Sequence, residues 1–213
     1  MRIKYKTIVD AASAEINIEK SKFLSHIKHI KDRAEAESYI SEIKTRFSDA
    51  THNVSAFILG EKMELKWATD DGEPQGTAGM PILRVLEENE LTNTIVIVTR
   101  YFGGKKLGTG GLVRAYTESA LEAIKKTDIC HVCSISHVKV EVDYSVYNKV
   151  SGYQFPFYVE IKRAEFLANV ILDIDYDPEK EGELKNIFDN FSKGRASYEW
   201  GYCKDKAVAI PKK

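Results

Sequence analysis

Hydrophobic residues in the first seventy positions recur with helical spacing in one stretch and with strand-like alternation elsewhere. Asp32 and Glu35 have the spacing of a capping box, and an apolar stripe follows them. This pattern predicts a helix from about Arg33 to Phe47. β-branched and aromatic residues predict strands at residues 15–19, 23–27, 54–59 and 64–69, the last two as a hairpin.

The next fifty residues predict a loop, a short helix, a buried strand and a longer helix. Residues 70–76, with the sequence DDGEPQG, are typical of a turn-rich loop, and a short helix with Pro81 in its first turn is expected after it. Residues 94–99 are almost all β-branched and predict a strand buried on both faces. A glycine-rich stretch at residues 103–111 follows directly, and helical spacing of apolar residues begins at Leu112. The predicted order is strand, glycine loop, helix.

A second unit is predicted from the strict alternation of Val138, Val140, Val142 and Tyr144 with polar residues. The order βαββαβ is completed by five further predicted elements. They are a weak helix at 145–153, strands at 161–166 and 170–176, a helix that begins with Asp177 and Pro178 and ends at Gly194, and a strand from Tyr198 to Ile210. That order is typical of a ferredoxin-like sandwich. A chain of 213 residues is long enough for two domains, predicted at residues 1–130 and 137–213 with a linker at 131–136.

Composition and charge exclude several classes of protein. The formal net charge is -1, so the chain lacks the global basic field of many nucleic-acid-binding proteins. The segment from Arg100 to Lys126 is locally basic, with six basic residues against two acidic ones. Three cysteines do not make a disulfide framework, and no apolar run approaches the length of a membrane span. A cytoplasmic protein without a membrane partner is expected.

The glycine-rich segment is the first candidate site. Glycines let the backbone approach a ligand, and the following helix offers unpaired N–H groups, which together favour an anion. Neither the dinucleotide fingerprint nor the P-loop fits this segment, and the glycines could instead serve only a tight turn between strand and helix. The predicted anion or nucleic-acid contacts are Arg100, Gly103, Gly104, Lys105, Lys106, Gly108, Thr109, Gly110, Gly111 and Arg114.

The acidic loop is the second candidate site. Asp70, Asp71 and Glu73 could hold a divalent metal or supply a general base, with His52 as a further base or ligand. The alternative is a solvated turn whose aspartates cap neighbouring backbone, with His52 as a hydrogen-bonded structural residue.

Two further patterns are ambiguous. Cys130 and Cys133 have a CxxC spacing, which chance explains better because no second such pair exists. An aromatic cluster in the second unit could stack bases or simply pack, and its members are Tyr153, Phe155, Phe157 and Tyr158.

Three blocks of the sequence resemble the YigZ/IMPACT family in its bacterial two-domain form. They are ATHN at 50–53, DDGEPQGTAGMPIL at 70–83 and VTRYFGGKKLGTGGLVRAY at 98–116, and the segment KSKF at 20–23 is also similar. The resemblance covers about the first 125 residues. It implies an α+β protein with an N-terminal domain of the ribosomal-protein and elongation-factor-G type, which contains a left-handed β-α-β crossover. It also implies a C-terminal ferredoxin-like domain similar to the last domain of elongation factor G.

The resemblance also implies a link to translation. Eukaryotic relatives look like regulators that restrain a stress-activated translation kinase by competing for its activator protein. Bacteria lack that pathway, so what carries over to the bacterial form is an expected partner that is RNA, the ribosome or a translation-related protein, without DNA specificity.

Three hypotheses follow. The first is a non-enzymatic regulator that binds through Lys105, Lys106, Arg114 and Arg100, extended by Lys20 and Lys22. The second is an enzyme for a phosphorylated or nucleotide ligand, in which the glycine loop cradles phosphate while the acidic loop and His52 hold Mg²⁺ or take a proton. The third makes both blocks architectural. No complete catalytic constellation can be assembled, which favours the binding protein, with no cofactor and no resident metal.

Overall fold

The structure, a computed structural model, describes residues 3–209 and is an α+β fold with two antiparallel sheets. Its contacts divide it into a first unit at residues 5–131, to which residues 207–209 also belong, and a second at residues 132–206, to which residues 3–4 also belong. Among the residues that the structure describes, no helix is both long and apolar enough to cross a membrane.

The elements in chain order up to residue 142 are β1 (Ile3–Ile8), β2 (Ala12–Ile18), β3 (Ser21–His29), α1 (Arg33–Arg46), β4 (His52–Leu59), β5 (Leu65–Thr69), α2 (Gly79–Glu88), β6 (Thr94–Tyr101), α3 (Gly108–Lys125) and β7 (Ile129–Val142). They are followed by α4 (Tyr144–Val150), β8 (Val159–Phe166), β9 (Val170–Tyr176), a 3₁₀ turn (Pro178–Lys180), α5 (Glu181–Ser192), β10 (Ser197–Trp200) and β11 (Lys204–Ala209).

The first unit is a five-stranded sheet with helices on both faces. Its strand order is β2-β3-β6-β4-β5, and every neighbouring pair is antiparallel. Ile95 and Ile97 of β6 belong to the apolar cluster that includes α1 residues, whereas Val96 and Val98 belong to the cluster that includes α2 and α3 residues. Alternate side chains of β6 therefore enter two cores, which explains why this strand has no polar face.

The first helix begins where the capping residues predict. The Asp32 carboxylate accepts the N–H of Glu35 at 2.8 Å, and the Glu35 carboxylate accepts the N–H of Lys31 at 2.9 Å. Ala36 and Ile43 are buried, and partly buried side chains complete the stripe. The predicted helix is confirmed and ends one residue earlier than expected.

The glycine loop is shorter than predicted because α3 begins at Gly108. Gly110 and Gly111 therefore lie in the first helical turn. The N–H groups of that turn have no intrahelical acceptor, so glycines there interrupt few helical bonds.

The second unit places a sheet against α4 and α5. Val138, Val140 and Val142 of β7 pack in one cluster with Val146 and Val150 of α4, and with Leu184 and Phe188 of α5. The six-stranded sheet has the order β1-β7-β9-β8, and β10 and β11 also pair with β7. The predicted alternation is confirmed for the valines but not for Tyr144. The Asp143 carboxylate accepts the N–H of Val146 at 2.8 Å and starts α4 at Tyr144.

Two predicted boundaries in this part of the chain differ from the structure. Residues 131–136, the predicted linker, lie inside the continuous strand β7. The predicted final strand is two strands, β10 and β11, interrupted at Gly201, whose N–H donates to the carbonyl of His137 at 2.8 Å. Ile210, its expected end, lies outside the described residues.

Candidate functional site

The candidate site is built where β6 ends and α3 begins. Leu107 occupies the N-cap position of α3 and provides no side-chain hydrogen bond. Thr109 and Gly110 in the first turn are exposed, and a Cβ atom at Gly110 would have no neighbour within 4 Å. The N–H groups of this turn therefore lack a side-chain cap at an open position, which is the arrangement that binds anions at helix N-termini.

Gly103 brings a second segment of the chain to this corner. A Cβ atom at Gly103 would lie 2.0 Å from the carbonyl oxygen of Lys20, so no side chain fits there. The N–H of Gly103 donates to Ser21 Oγ at 3.2 Å. Lys20 is thereby held beside the loop that precedes α3. Gly104 and Gly108 have φ values of 83° and 71°, which glycine adopts without strain.

The basic side chains near this corner differ in their pairing. Lys20, Lys106 and Arg114 are exposed and have no ion-pair partner among residues 3–209. Lys105 pairs with Glu19 at 2.5 Å, and Lys22 pairs with Glu15 at 2.9 Å. We define the α3 corner as Lys20, Lys106, the first turn Gly108–Gly111 and Arg114. Because surface ion pairs are screened and weak, Lys105 is only partly neutralised beside it.

Arg100 lies inside the molecule and not on this surface. It is 4% exposed, and its Nη1 donates to Glu73 Oε1 at 2.5 Å while Nη2 donates to Ser21 Oγ at 3.3 Å. Its Nε has no hydrogen-bond partner in the described structure. The guanidinium therefore forms an internal ion pair, and its burial could not be read from the local sequence.

Glu73 is the centre of a buried polar network. Its Oε1 also accepts the Tyr116 hydroxyl at 2.8 Å, and His52 Nε2 lies 3.8 Å away. Burial, together with the neighbouring Glu73 carboxylate, raises the pKa of the Tyr116 phenol far above its usual range. In the sequence, Tyr116 fits the apolar stripe of the predicted helix that begins at Leu112, and a buried tyrosine fits that stripe as well as a buried phenylalanine.

The two aspartates of the acidic loop hold backbone and lysine groups. The Asp70 carboxylate accepts the N–H groups of Gly76, Ala78 and Gly79 at 2.7–3.1 Å, which caps the start of α2. The Asp71 carboxylate accepts Lys44 Nζ at 2.6 Å and the Asn53 N–H at 2.7 Å. These contacts match the capping alternative.

The same contacts determine the protonation of this loop. Burial alone would raise the pKa of Asp71, but the hydrogen bonds from Lys44 and the Asn53 N–H outweigh it and lower that pKa. The Asp71 carbonyl lies 2.8 Å from His52 Nδ1, which must therefore be the donor.

Among the residues described, no group of three or more His, Cys, Asp or Glu side chains is placed to hold a metal ion.

A pocket of about 350 Å³ opens between the buried network and α3. Glu73, Arg100 and Leu112 are its buried members. The more exposed lining residues are Pro74, Phe102, Lys106, Leu107, Gly108 and Thr109. This pocket joins the acidic-loop residue Glu73 to the glycine segment, whereas the sequence predicts two separate candidate sites.

The remaining candidates are the cysteine pair and the aromatic cluster of the second unit. Cys130 and Cys133 are buried thiols that form no disulfide, and residues three apart on a strand point to opposite faces, so they cannot share one ligand. The third cysteine, Cys203, is exposed. In the aromatic cluster the Phe155 ring stacks on the core residue Phe188 with centroids 5.7 Å apart, so this ring serves packing.

Comparison with known proteins gives consistent results. The Impact N-terminal domain family matches residues 19–124. IMPACT family member YvyE of Bacillus subtilis is 38% identical over 187 residues, which cover 86% of this chain and 83% of that protein. IMPACT family member YigZ of Escherichia coli is 27% identical over 180 residues, which cover 83% and 88% respectively.

A solved structure supports the fold. The crystal structure of a hypothetical protein aligns with a TM-score of 0.60 and 24% identity, over 93% of this chain and 97% of that one. This likeness concerns the fold alone. From the similarity to YvyE over most of both chains, we conclude that this chain belongs to the IMPACT family.

Proposed function

We propose that the protein is a cytoplasmic, translation-linked regulator that binds RNA through the α3 corner without catalysing a reaction. Membership of the IMPACT family supports the link to translation, through the role that the resemblance implies for eukaryotic relatives. The single observation that carries RNA binding is the open, uncapped first turn of α3 beside unpaired Lys20, Lys106 and Arg114. Arg114 lies four residues after Gly110 and so on the same helical face.

The strand order supports a finer description of the two units. Strands β3 and β4 are both antiparallel to β6, which lies between them, so β3-α1-β4 is a parallel crossover unit. We infer that this is the left-handed crossover of the ribosomal-protein and elongation-factor-G type. In the second unit, the order β10-β7-β9-β8 with antiparallel neighbours supports a ferredoxin-like sandwich.

The acidic loop supports binding over catalysis. Asp70 and Asp71 are engaged by backbone N–H groups and Lys44, so neither is an open metal ligand. A cluster of cations around helix amides instead suits phosphate oxygens, which it contacts without reading sequence.

The test is the salt dependence of RNA binding. The full chain and the variant Lys20→Gln/Lys106→Gln/Arg114→Gln are titrated with a fluorescent single-stranded RNA at several salt concentrations. Loss of three phosphate contacts should weaken binding and flatten the slope of log K against log salt by about 2 units. The measurement is fluorescence anisotropy.

A matched variant separates local from global charge. Lys62→Gln/Arg84→Gln/Lys126→Gln removes the same charge from exposed positions outside the corner, with Lys126 at the opposite end of α3. This variant should retain the wild-type slope. If the wild type binds no RNA, or if both variants lose affinity equally, RNA binding through the α3 corner is wrong.

A further inference from the structure

We propose that the pocket beside the α3 corner is a binding site for one nucleoside monophosphate, either free or at the phosphorylated end of an RNA. This inference rests on the proposed function, because it assigns a nucleotide to the mouth of the same corner. It goes beyond that function by naming a pocket, a ligand class and a role for Phe102 that backbone binding does not need.

The mouth of the pocket suits a single phosphate group. Lys106, Gly108 and Thr109 line it, so one unpaired ammonium group and the uncapped start of α3 meet at one place. An 18-residue helix carries a partial positive charge at its N-terminus, which adds to the lysine charge. This positive charge balances one phosphate group better than a di- or triphosphate chain.

The interior of the pocket points independently to a ligand. The Arg100 side chain is 5% exposed and lines the pocket, and its Nε is a buried donor without a partner in the described structure. This N–H is enclosed by protein atoms and costly to leave without an acceptor, so a ligand acceptor that reaches it after a shift of the Arg100 side chain would remove that cost. Because Glu73 already neutralises the Arg100 charge, the interior favours a neutral acceptor such as a base carbonyl or ring nitrogen.

The remaining lining residues suit the base itself. The Phe102 side chain is 46% exposed, and its ring centroid lies 5.6 Å from the Arg100 guanidinium carbon. An exposed aromatic ring at the mouth of a pocket is a stacking surface for any base. Leu107 and Leu112 add apolar contact, and the pocket volume of about 350 Å³ lies at the small end of the range for ligand sites.

The experiment is an NMR titration of the ¹⁵N-labelled full chain with adenosine monophosphate, inorganic phosphate and adenosine. Adenosine monophosphate should bind more tightly than either fragment and should shift the amide signals of Gly108–Gly111. Phe102→Leu removes the stacking ring and should weaken this binding about tenfold. Lys106→Gln should weaken it by a similar factor, about tenfold, by removing the charged phosphate contact.

Lys126→Gln is the matched control, because Lys126 is an exposed lysine at the opposite end of α3 and does not line the pocket. It should bind adenosine monophosphate like the wild type. Absence of any shift with the wild type, or equal affinities for wild type, Phe102→Leu and Lys106→Gln, would overturn the proposal.

Two comparisons identify the source of the nucleotide and separate this proposal from the previous one. A short RNA that binds more tightly with a 5′-phosphate than with a 5′-hydroxyl assigns the pocket to RNA ends, whereas equal binding assigns it to free nucleotides. If long single-stranded RNA binds in a salt-dependent way but adenosine monophosphate does not, the pocket proposal fails alone. If adenosine monophosphate binds but long RNA does not, the proposed function fails alone.

Discussion

At the scale of single residues, the main finding is that two candidate charges are buried together. The sequence predicts Glu73 in an acidic loop and Arg100 on a basic surface, whereas the structure pairs them at 2.5 Å with side chains 4% and 5% exposed. Their separation of 27 positions carries no local signal of contact. Residue type could therefore predict that both positions matter, but only the folded chain defines their environment.

The buried pair leads to a prediction about stability. Glu73→Gln leaves the Arg100 guanidinium buried without a counter-charge, and breaking such a pair costs about 3–5 kcal/mol. The free energy of unfolding, measured by urea denaturation, should fall by that amount. Glu87→Gln is the control, because the exposed pair Lys66–Glu87 should contribute only about 0–1 kcal/mol. Equal losses in the two variants would contradict a structural role for the buried pair.

At the scale of elements, the glycines around α3 have two different roles. Hydrophobic spacing predicted α3 but not the residue at which it begins. Glycine has a low propensity for a helix interior, yet it is tolerated in the first turn, so the glycines alone did not define the start. Gly103 meets the backbone of Lys20, whereas Gly110 has helical geometry and open space around its missing Cβ. The same residue type therefore marks a steric requirement at one position and only an open surface at the other.

This difference predicts opposite effects of the same substitution. Gly110→Ala should stabilise the protein by about 0.5–1 kcal/mol, because alanine loses less backbone entropy in a helix. Gly103→Ala must push two segments apart and should destabilise it by about 1–3 kcal/mol. Thermal unfolding of the two variants beside the wild type measures both signs. A stabilised Gly103→Ala variant would show that the contact with Lys20 is not a constraint.

At the scale of the whole molecule, the order of elements was largely predictable and the predicted β4–β5 hairpin is confirmed, whereas the pairing of strands distant in sequence was not predictable. Alternation and helical spacing are local, so they located the helices and most strands within a few residues. The sheet order β2-β3-β6-β4-β5 depends on contacts distant in sequence and left no local trace. Residues 131–136 were predicted as a linker because the hydrophobic pattern breaks near residues 127–136, and their inclusion in β7 follows from pairing with neighbouring strands.

The charges at the candidate site were likewise only partly predictable from the sequence. A net charge of -1 argues against a global basic field, and the local excess of basic residues after Arg100 predicts a candidate site in that segment. Which cations remain available depended on the folded chain, since Arg100 is internal and Lys105 is paired. The pocket that joins the two loops forms only where the acidic loop, the end of β6 and the start of α3 come together in the folded chain.

The three cysteines differ in accessibility, which allows one of them to be labelled selectively. Cys203 is exposed, whereas Cys130 and Cys133 are buried, and burial raises the pKa of the Cys133 thiol and so lowers its fraction of reactive thiolate. A maleimide dye applied to the native protein would therefore label one position, in the second unit. Such a single fluorophore reports on binding from outside the α3 corner, so the side chains under test remain chemically untouched.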